Sequence, residues 1–192
     1  MNTVVALAAA DDAGLRAANP FPGLRPFEAD DTHVFFGRDG QSTALIALLA
    51  RTRFVGVVGT SGSGKSSLVR AGLLPQLEGG LMASAGPNWR IAVTTPGDAP
   101  IHHLASALCD ARVLGRKGDD RLVRAAQIEA VLRRGSRGLL DATGQARLEP
   151  DENLLVVVDQ FEELFRMSRL VAENGTSEAA DFVALLLEAA RQ

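Results

Sequence analysis

The stretch that most constrains this chain is "FVGVVGTSGSGKSSLVRAG", Phe54 to Gly72. It opens as a short apolar, β-branched run, tightens into a glycine- and serine-rich turn, and leaves as an amphipathic helical pattern. Within it, Gly59-Thr60-Ser61-Gly62-Ser63-Gly64-Lys65-Ser66 fits the pattern G-x-x-x-x-G-K-[ST]. Glycines let a backbone curl until successive N–H groups face one anion, and the helix that follows aims its free N–H groups at the same place. A lysine there adds a point charge for the β and γ phosphates of a nucleotide, and a serine hydroxyl offers a ligand to Mg²⁺. With this chain's own residue frequencies the pattern arises by accident on the order of 0.2% of the time. Two of the 20 Lys and Arg residues are lysines. Arginine therefore serves the ordinary surface, and Lys65 is not casual composition.

The rest of the chain supplies the context such a loop needs. "FVGVV" reads as a buried strand before the loop, and "GKSSLVRAGLLPQLEGG" as a helix after it that stops near Pro75 and the Gly79-Gly80 pair. "WRIAVTTPGDAP" gives a second strand and "NLLVVVDQ" a third. Helical patterns cover "QSTALIALLART", "IHHLASALCDARVL", "RLVRAAQIEAVLRR", part of "FEELFRMSRLVAEN", and "SEAADFVALLLEAARQ". "NPFPGLRPFEADD" carries three prolines and reads as an ordered, extended segment, while "GSRGLLDATGQARLEPDE" has no assigned structure. Strands alternating with helices predict an α/β fold, a parallel sheet covered on both faces.

A phosphate loop needs an acidic partner at the end of another buried strand. Asp159, closing the apolar run Leu154–Val158, is placed where a carboxylate reaches Mg²⁺ through water. Capping the next helix, with Glu162 as capping-box partner, is the lesser alternative, and both roles can hold at once. A hydrolytic site also needs a carboxylate to polarise the attacking water. Because Gln160 follows Asp159, that work falls to Glu162 or Glu163, which otherwise read as a dipole-favoured helix start.

Composition narrows the partners. The chain has 192 residues, 46% hydrophobic and 22% charged, with a net charge of −3 and no long block of one sign. Nothing in that balance predicts nucleic acid or an anionic membrane as partner, and no apolar run reaches transmembrane length. The single cysteine, Cys109, reads as a buried free thiol in a reducing compartment, so a cytoplasmic location is expected. His33 and the His102-His103 pair lack metal-ligand spacing. Residues 1–18 read as a disordered tail, because Asp11 and Asp12 follow the short apolar run at once and no basic residue precedes it.

Four segments together carry a family resemblance: "NPFPGLRPFEADDTHVFFGRD", "VVGTSGSGKSSLVRAGLLPQL", "TTPGDAPIHHLASAL" and "VVVDQFEELF". In order, over roughly Asn19 to Met167, they resemble the novel STAND NTPases, the bacterial branch of the signal-transduction ATPases with numerous domains, often fused to WD-repeat propellers. The resemblance implies a P-loop NTPase three-layer fold over residues 19–192. It also implies ATP/ADP with Mg²⁺ as ligands, and a nucleotide-dependent switch with slow hydrolysis. The nucleotide-binding residues it implies are Gly37 and Arg38 of "FFGRD", with Gly59, Ser61, Gly62, Ser63, Gly64, Lys65, Ser66 and Ser67. The metal falls to Ser66 and Asp159, and catalysis to Lys65, Glu162 and Glu163. Glu162 comes first of the two glutamates, because Asp159, Glu162 and Glu163 are spaced as in the D-G-h-D-E pattern of related NACHT ATPases. Partners are the nucleotide and, by the same resemblance, other protein domains or further copies of the chain.

The same resemblance implies a five-stranded sheet in which a fourth strand lies between the lysine-loop strand and the aspartate strand. Three strand-like runs are legible here, so the expectation is a domain truncated at its C-terminus, without the sensor strand and lid. Two other readings stay open: a small P-loop enzyme of the kinase kind, and a non-catalytic interaction domain that keeps a bound nucleotide. A GTPase is disfavoured by the lack of N-K-x-D, and a transporter-type ATPase by the lack of L-S-G-G-Q.

Overall fold

The structure, a computed structural model, describes residues 23, 25–165 and 178–191. The expected tail and most of the helix read from Phe161 to Asn174 lie outside the described residues.

Two strands form the sheet among these residues. β1 (Trp89–Thr94) and β2 (Asn153–Val158) run parallel, in register from Trp89 opposite Asn153 to Thr94 opposite Val158. Side chains alternate between the faces of a pleated strand, and each face here meets its own cluster. Ala92, Leu154, Val156 and Val158 join a core built around Leu104, Leu108, Leu132 and Phe182. Those side chains come from helices α4 (Pro100–Leu108), α5 (Arg121–Leu132) and α7 (Glu178–Arg191). Trp89 and Leu155 face the other way, onto Ile46 and Leu49 of α1 (Asp39–Thr52) and Leu73 and Leu77 of the helical run after the loop. Helices cover both faces, as the alternation of strands and helices predicts.

The helical run after the loop departs from expectation in its interior. It begins as α2 (Lys65–Ser67), widens into a π-wound segment (Leu68–Leu73), and returns to α-helix as α3 (Leu74–Glu78). Pro75 lies inside it, and it stops at Glu78, with Gly79 of the expected glycine pair as its C-cap. A proline inside a helix offers no N–H and its ring crowds the carbonyl four residues back, here that of Ala71. The π winding sits where that crowding falls, and the Thr32 hydroxyl, whose shorter hydrogen bond goes to the Ala29 carbonyl at 2.6 Å, lies 3.2 Å from the Ala71 carbonyl oxygen. The hydroxyl arrives from a 3₁₀ segment, Ala29–Val34. The Pro-rich segment is therefore not extended throughout, since Ala29, Asp30 and Asp31 already wind. Glu28 and Asp31 close a capping box there.

Two more helices differ from the sequence reading. α4 ends at Leu108 instead of continuing through Leu114, because Asp110 Oδ1 accepts the Arg112 N–H at 2.9 Å and bends the backbone away. α6 (Gly138–Ala146) occupies the stretch left unassigned. Its glycines lower the helical signal, yet Gly138 is required sterically: a Cβ there would lie 2.6 Å from the carbonyl oxygens of Val131 and Leu132. α6 starts against the last turn of α5, and only a residue without a side chain permits it. Cys109 is buried as a free thiol.

The largest correction concerns "FVGVV". Residues 54–60 have no regular secondary structure, and the sheet order among the described residues is β1-β2 alone. Phe54 is 49% and Val58 95% exposed. A β-branched run becomes a strand only where a neighbouring strand completes its ladder. β2 is paired to β1, and residues 54–60 have no such neighbour here. Val55 still packs, as Leu155 does, on the cluster beneath α1, so the run enters the loop along the layer it was expected to occupy.

Candidate functional site

The site gathers at the C-terminal end of the sheet, where open α/β sheets hold their ligands. The Asp159 N–H donates to the Thr94 carbonyl oxygen at 2.8 Å, continuing the β1–β2 pairing by one bond beyond Val158. That contact places the aspartate at the rim of the sheet, its side chain 16% exposed. Gln160 then takes φ +55°, a left-handed turn that lifts the chain off the strand. Its N–H donates to Asp159 Oδ1 at 3.0 Å.

Across from this rim lies the lysine loop. Gly62 and Gly64 adopt φ +73° and +81°, values that suit glycine and that bend the loop into the start of α2. The Ser63 N–H closes onto the Thr60 carbonyl at 3.2 Å, while Ser61 stands exposed at the turn. Gly59 lies under Ser63, whose Oγ would be 3.0 Å from a Cβ at that position. Lys65 Nζ donates back to the carbonyl oxygens of Gly59 and Thr60, both at 3.0 Å. The ammonium thus spans the mouth of its own loop.

Ser66 and Asp159, 93 residues apart, meet directly: Ser66 Oγ donates to Asp159 Oδ1 at 2.8 Å. Ser67 turns the other way and accepts the Phe27 N–H at 3.1 Å, so it anchors the Pro-rich segment. Gly37, at φ +84°, makes the turn into α1, and Arg38 occupies the N-cap position of that helix. Arg38 Nη2 donates to the Ser63 carbonyl at 2.9 Å, and its guanidinium lies over Gly64. The arginine of "FFGRD" therefore sits on the rim of the phosphate loop.

The two glutamates after Asp159 separate. Glu162 is exposed. Glu163 turns beneath the rim, where its Oε2 accepts the Gly97 N–H at 3.1 Å, and so holds the turn that follows β1. The histidines stay apart from the site. His33 meets the Asp30 carbonyl, His102 meets Glu129, and His103 meets the Pro96 carbonyl. Among the described residues no group of three or more His, Cys, Asp or Glu side chains is placed to hold a metal.

Two residues that the sequence reading passed over join the centre. Arg70 Nη2 donates to Asp159 Oδ2 at 3.0 Å, and its Nη1 donates to Glu28 Oε1 at 2.8 Å. Part of this was legible. Arg70 lies four residues after Ser66, a spacing that shares one face of a helix, so a cation near the serine's partner could be expected. Nothing in "RPFEADD" marks Glu28. On the same segment, a hydrogen bond from the Arg25 guanidinium, seconded by the Glu28 N–H, holds the Asp31 carboxyl down at about 2.

Ser66 and Asp159 are hard oxygen donors of the kind Mg²⁺ takes, and their 2.8 Å contact brings both to one point. The donor set fits that ion. No helix among the described residues is long and apolar enough to cross a membrane. The family model described as Novel STAND NTPase 1 matches residues 20–192. No curated protein and no solved structure was found to match the chain.

Proposed function

Since this chain belongs to the Novel STAND NTPase 1 family, we propose that it binds ATP and ADP with Mg²⁺ and works as a nucleotide-dependent switch. The observation that carries this reading is that the loop holds its lysine at the mouth while the serine after it meets the strand-end aspartate. Lys65 donates to the Gly59 and Thr60 carbonyl oxygens, and Ser66 donates to Asp159, at the spot where a phosphate chain and its cation would lie.

In this reading a nucleotide's phosphates take the backbone N–H groups of the curled loop, and Lys65 swings from its carbonyls to the β and γ oxygens. Arg38, fixed on the Ser63 carbonyl, contributes a second positive charge at the rim. Ser66 and Asp159 would hold Mg²⁺, which when bound neutralises charge on the phosphates. Glu162, exposed and one turn past Asp159, is the carboxylate assigned to orient water. Glu163 supports it by fixing the turn at Gly97. Hydrolysis on this assignment is slow and serves as a timer, ADP and ATP stabilising different states of the module. The signal is passed to other protein domains or to further copies, in the cytoplasm.

Calorimetric titration with MgADP and MgATP, beside Lys65→Ala, tests the proposal. Micromolar binding by the native chain that disappears in Lys65→Ala supports it. Equal binding by both proteins would sink it.

A further inference from the structure

Asp159 has both oxygens engaged: Oδ1 with Ser66 and the Gln160 N–H, Oδ2 with Arg70. Arg70 in turn is held by two carboxylates, Asp159 on one arm and Glu28 on the other, while its Nε is buried without a partner. Its side chain is 24% exposed, so the guanidinium is substantially withdrawn from water.

From this geometry, and resting on the nucleotide reading above, we propose that Arg70 is a positioning residue that competes with Mg²⁺ for Asp159. Glu28 of the Pro-rich segment sets the strength of that competition. A divalent cation approaching Ser66 and Asp159 meets a fixed positive charge already bonded to the carboxylate. The guanidinium aims Asp159 toward Ser66 and at the same time raises the cation concentration needed to claim it. Glu28 draws on the far arm and offsets part of the guanidinium charge. The Pro-rich segment thereby acts on the metal site from outside it, and by linkage the arriving cation tightens the Glu28–Arg70 pair in return.

A strut that only ties this segment to the helix makes a different prediction. Removing either end of a strut loosens the same structure, and cation binding weakens in both cases. Competition requires opposite signs. The test is a Mg²⁺ titration of the whole chain at fixed ADP, read by calorimetry against an EDTA baseline, with thermal unfolding recorded for each protein.

Arg70→Gln lowers the Mg²⁺ concentration for half-maximal enhancement of ADP binding, and Glu28→Gln raises it. Each shift is about two- to fivefold, the size expected for partly exposed ion pairs. The double variant follows Arg70→Gln, because Glu28 acts through the arginine. Should Arg70→Gln fold poorly, Arg70→Lys keeps the charge, and adding Glu28→Gln to it still raises the Mg²⁺ requirement, because the carboxylate that offsets that charge is gone. Shifts of the same sign, or none, overturn the inference while leaving the nucleotide reading standing. If the native chain binds no ADP with or without Mg²⁺, the nucleotide reading falls first, and the inference with it.

Discussion

Ser66 Oγ and Asp159 Oδ1 lie 2.8 Å apart although 93 residues separate them in the chain. One begins the helix after the loop and the other ends β2, and nothing local to either brings them together. Their contact turns two sequence motifs into one site. Asp159→Asn keeps the shape and an oxygen for Ser66 but removes the charge. ADP binding in EDTA should be unchanged, while Mg²⁺ affinity in the ADP complex falls roughly ten- to a hundredfold, as for a residue that supports a metal through water. Isothermal titration with and without Mg²⁺ measures both. An unchanged Mg²⁺ response would remove Asp159 from the metal site.

Gln160 holds φ +55° immediately after that aspartate. An L-residue is strained there and glycine is not, although glycine also frees the unfolded chain. Gln160→Gly is expected to stabilise the fold by about 0.5 kcal/mol, seen as a higher thermal midpoint. A lower midpoint would mean that the Gln160 side chain contributes more than its backbone costs.

Gly138 marks where α6 abuts α5. A methyl group 2.6 Å from the Val131 and Leu132 carbonyl oxygens has no flexible neighbour to displace. Gly138→Ala should cost about 2 kcal/mol or more, the range of overpacked sites, whereas Gly144→Ala, with open space around it, should not destabilise. Comparing urea midpoints of the two variants decides the matter.

Asp31 carries the clearest pH signature. The hydrogen bond from Arg25, with the Glu28 N–H, depresses its pKa well below the ordinary carboxyl value, to about 2. A depressed carboxyl contributes stability that is fully present above its unfolded value and is lost as pH falls through the folded one. The capping box of the Ala29–Val34 turn should therefore hold at pH 4 and open as pH drops toward about 2. A carboxyl ¹³C titration of Asp31 reads this directly, and in Arg25→Gln the midpoint should move up toward the ordinary value. An identical midpoint in the variant would assign the depression to another group.

What the sequence determines here is local. A glycine-rich curl ending in Lys65 and Ser66 follows from spacing, because the positive φ values at Gly62 and Gly64 and the helix that begins at Lys65 need only neighbours in the chain. Asp159 at the end of β2 follows in the same way from an apolar β-branched run closed by a carboxylate. α4, α5 and α7 are legible from their periodicity, and α6 is not, since its glycines serve a contact with α5 that periodicity does not record. Tertiary structure decides everything that depends on a partner distant in sequence. Residues 54–60 have strand composition but no ladder, because hydrogen bonds between strands must be supplied by a second strand. Pro75 passes through a helix because a π-wound segment accommodates the carbonyl it crowds. Glu162 and Glu163, adjacent in sequence, part company because only one of them comes within reach of Gly97. Arg70 becomes part of the site for the same reason: its charge is plain in the sequence, but the two carboxylates that hold it come from Glu28 and Asp159, 42 residues before it and 89 after.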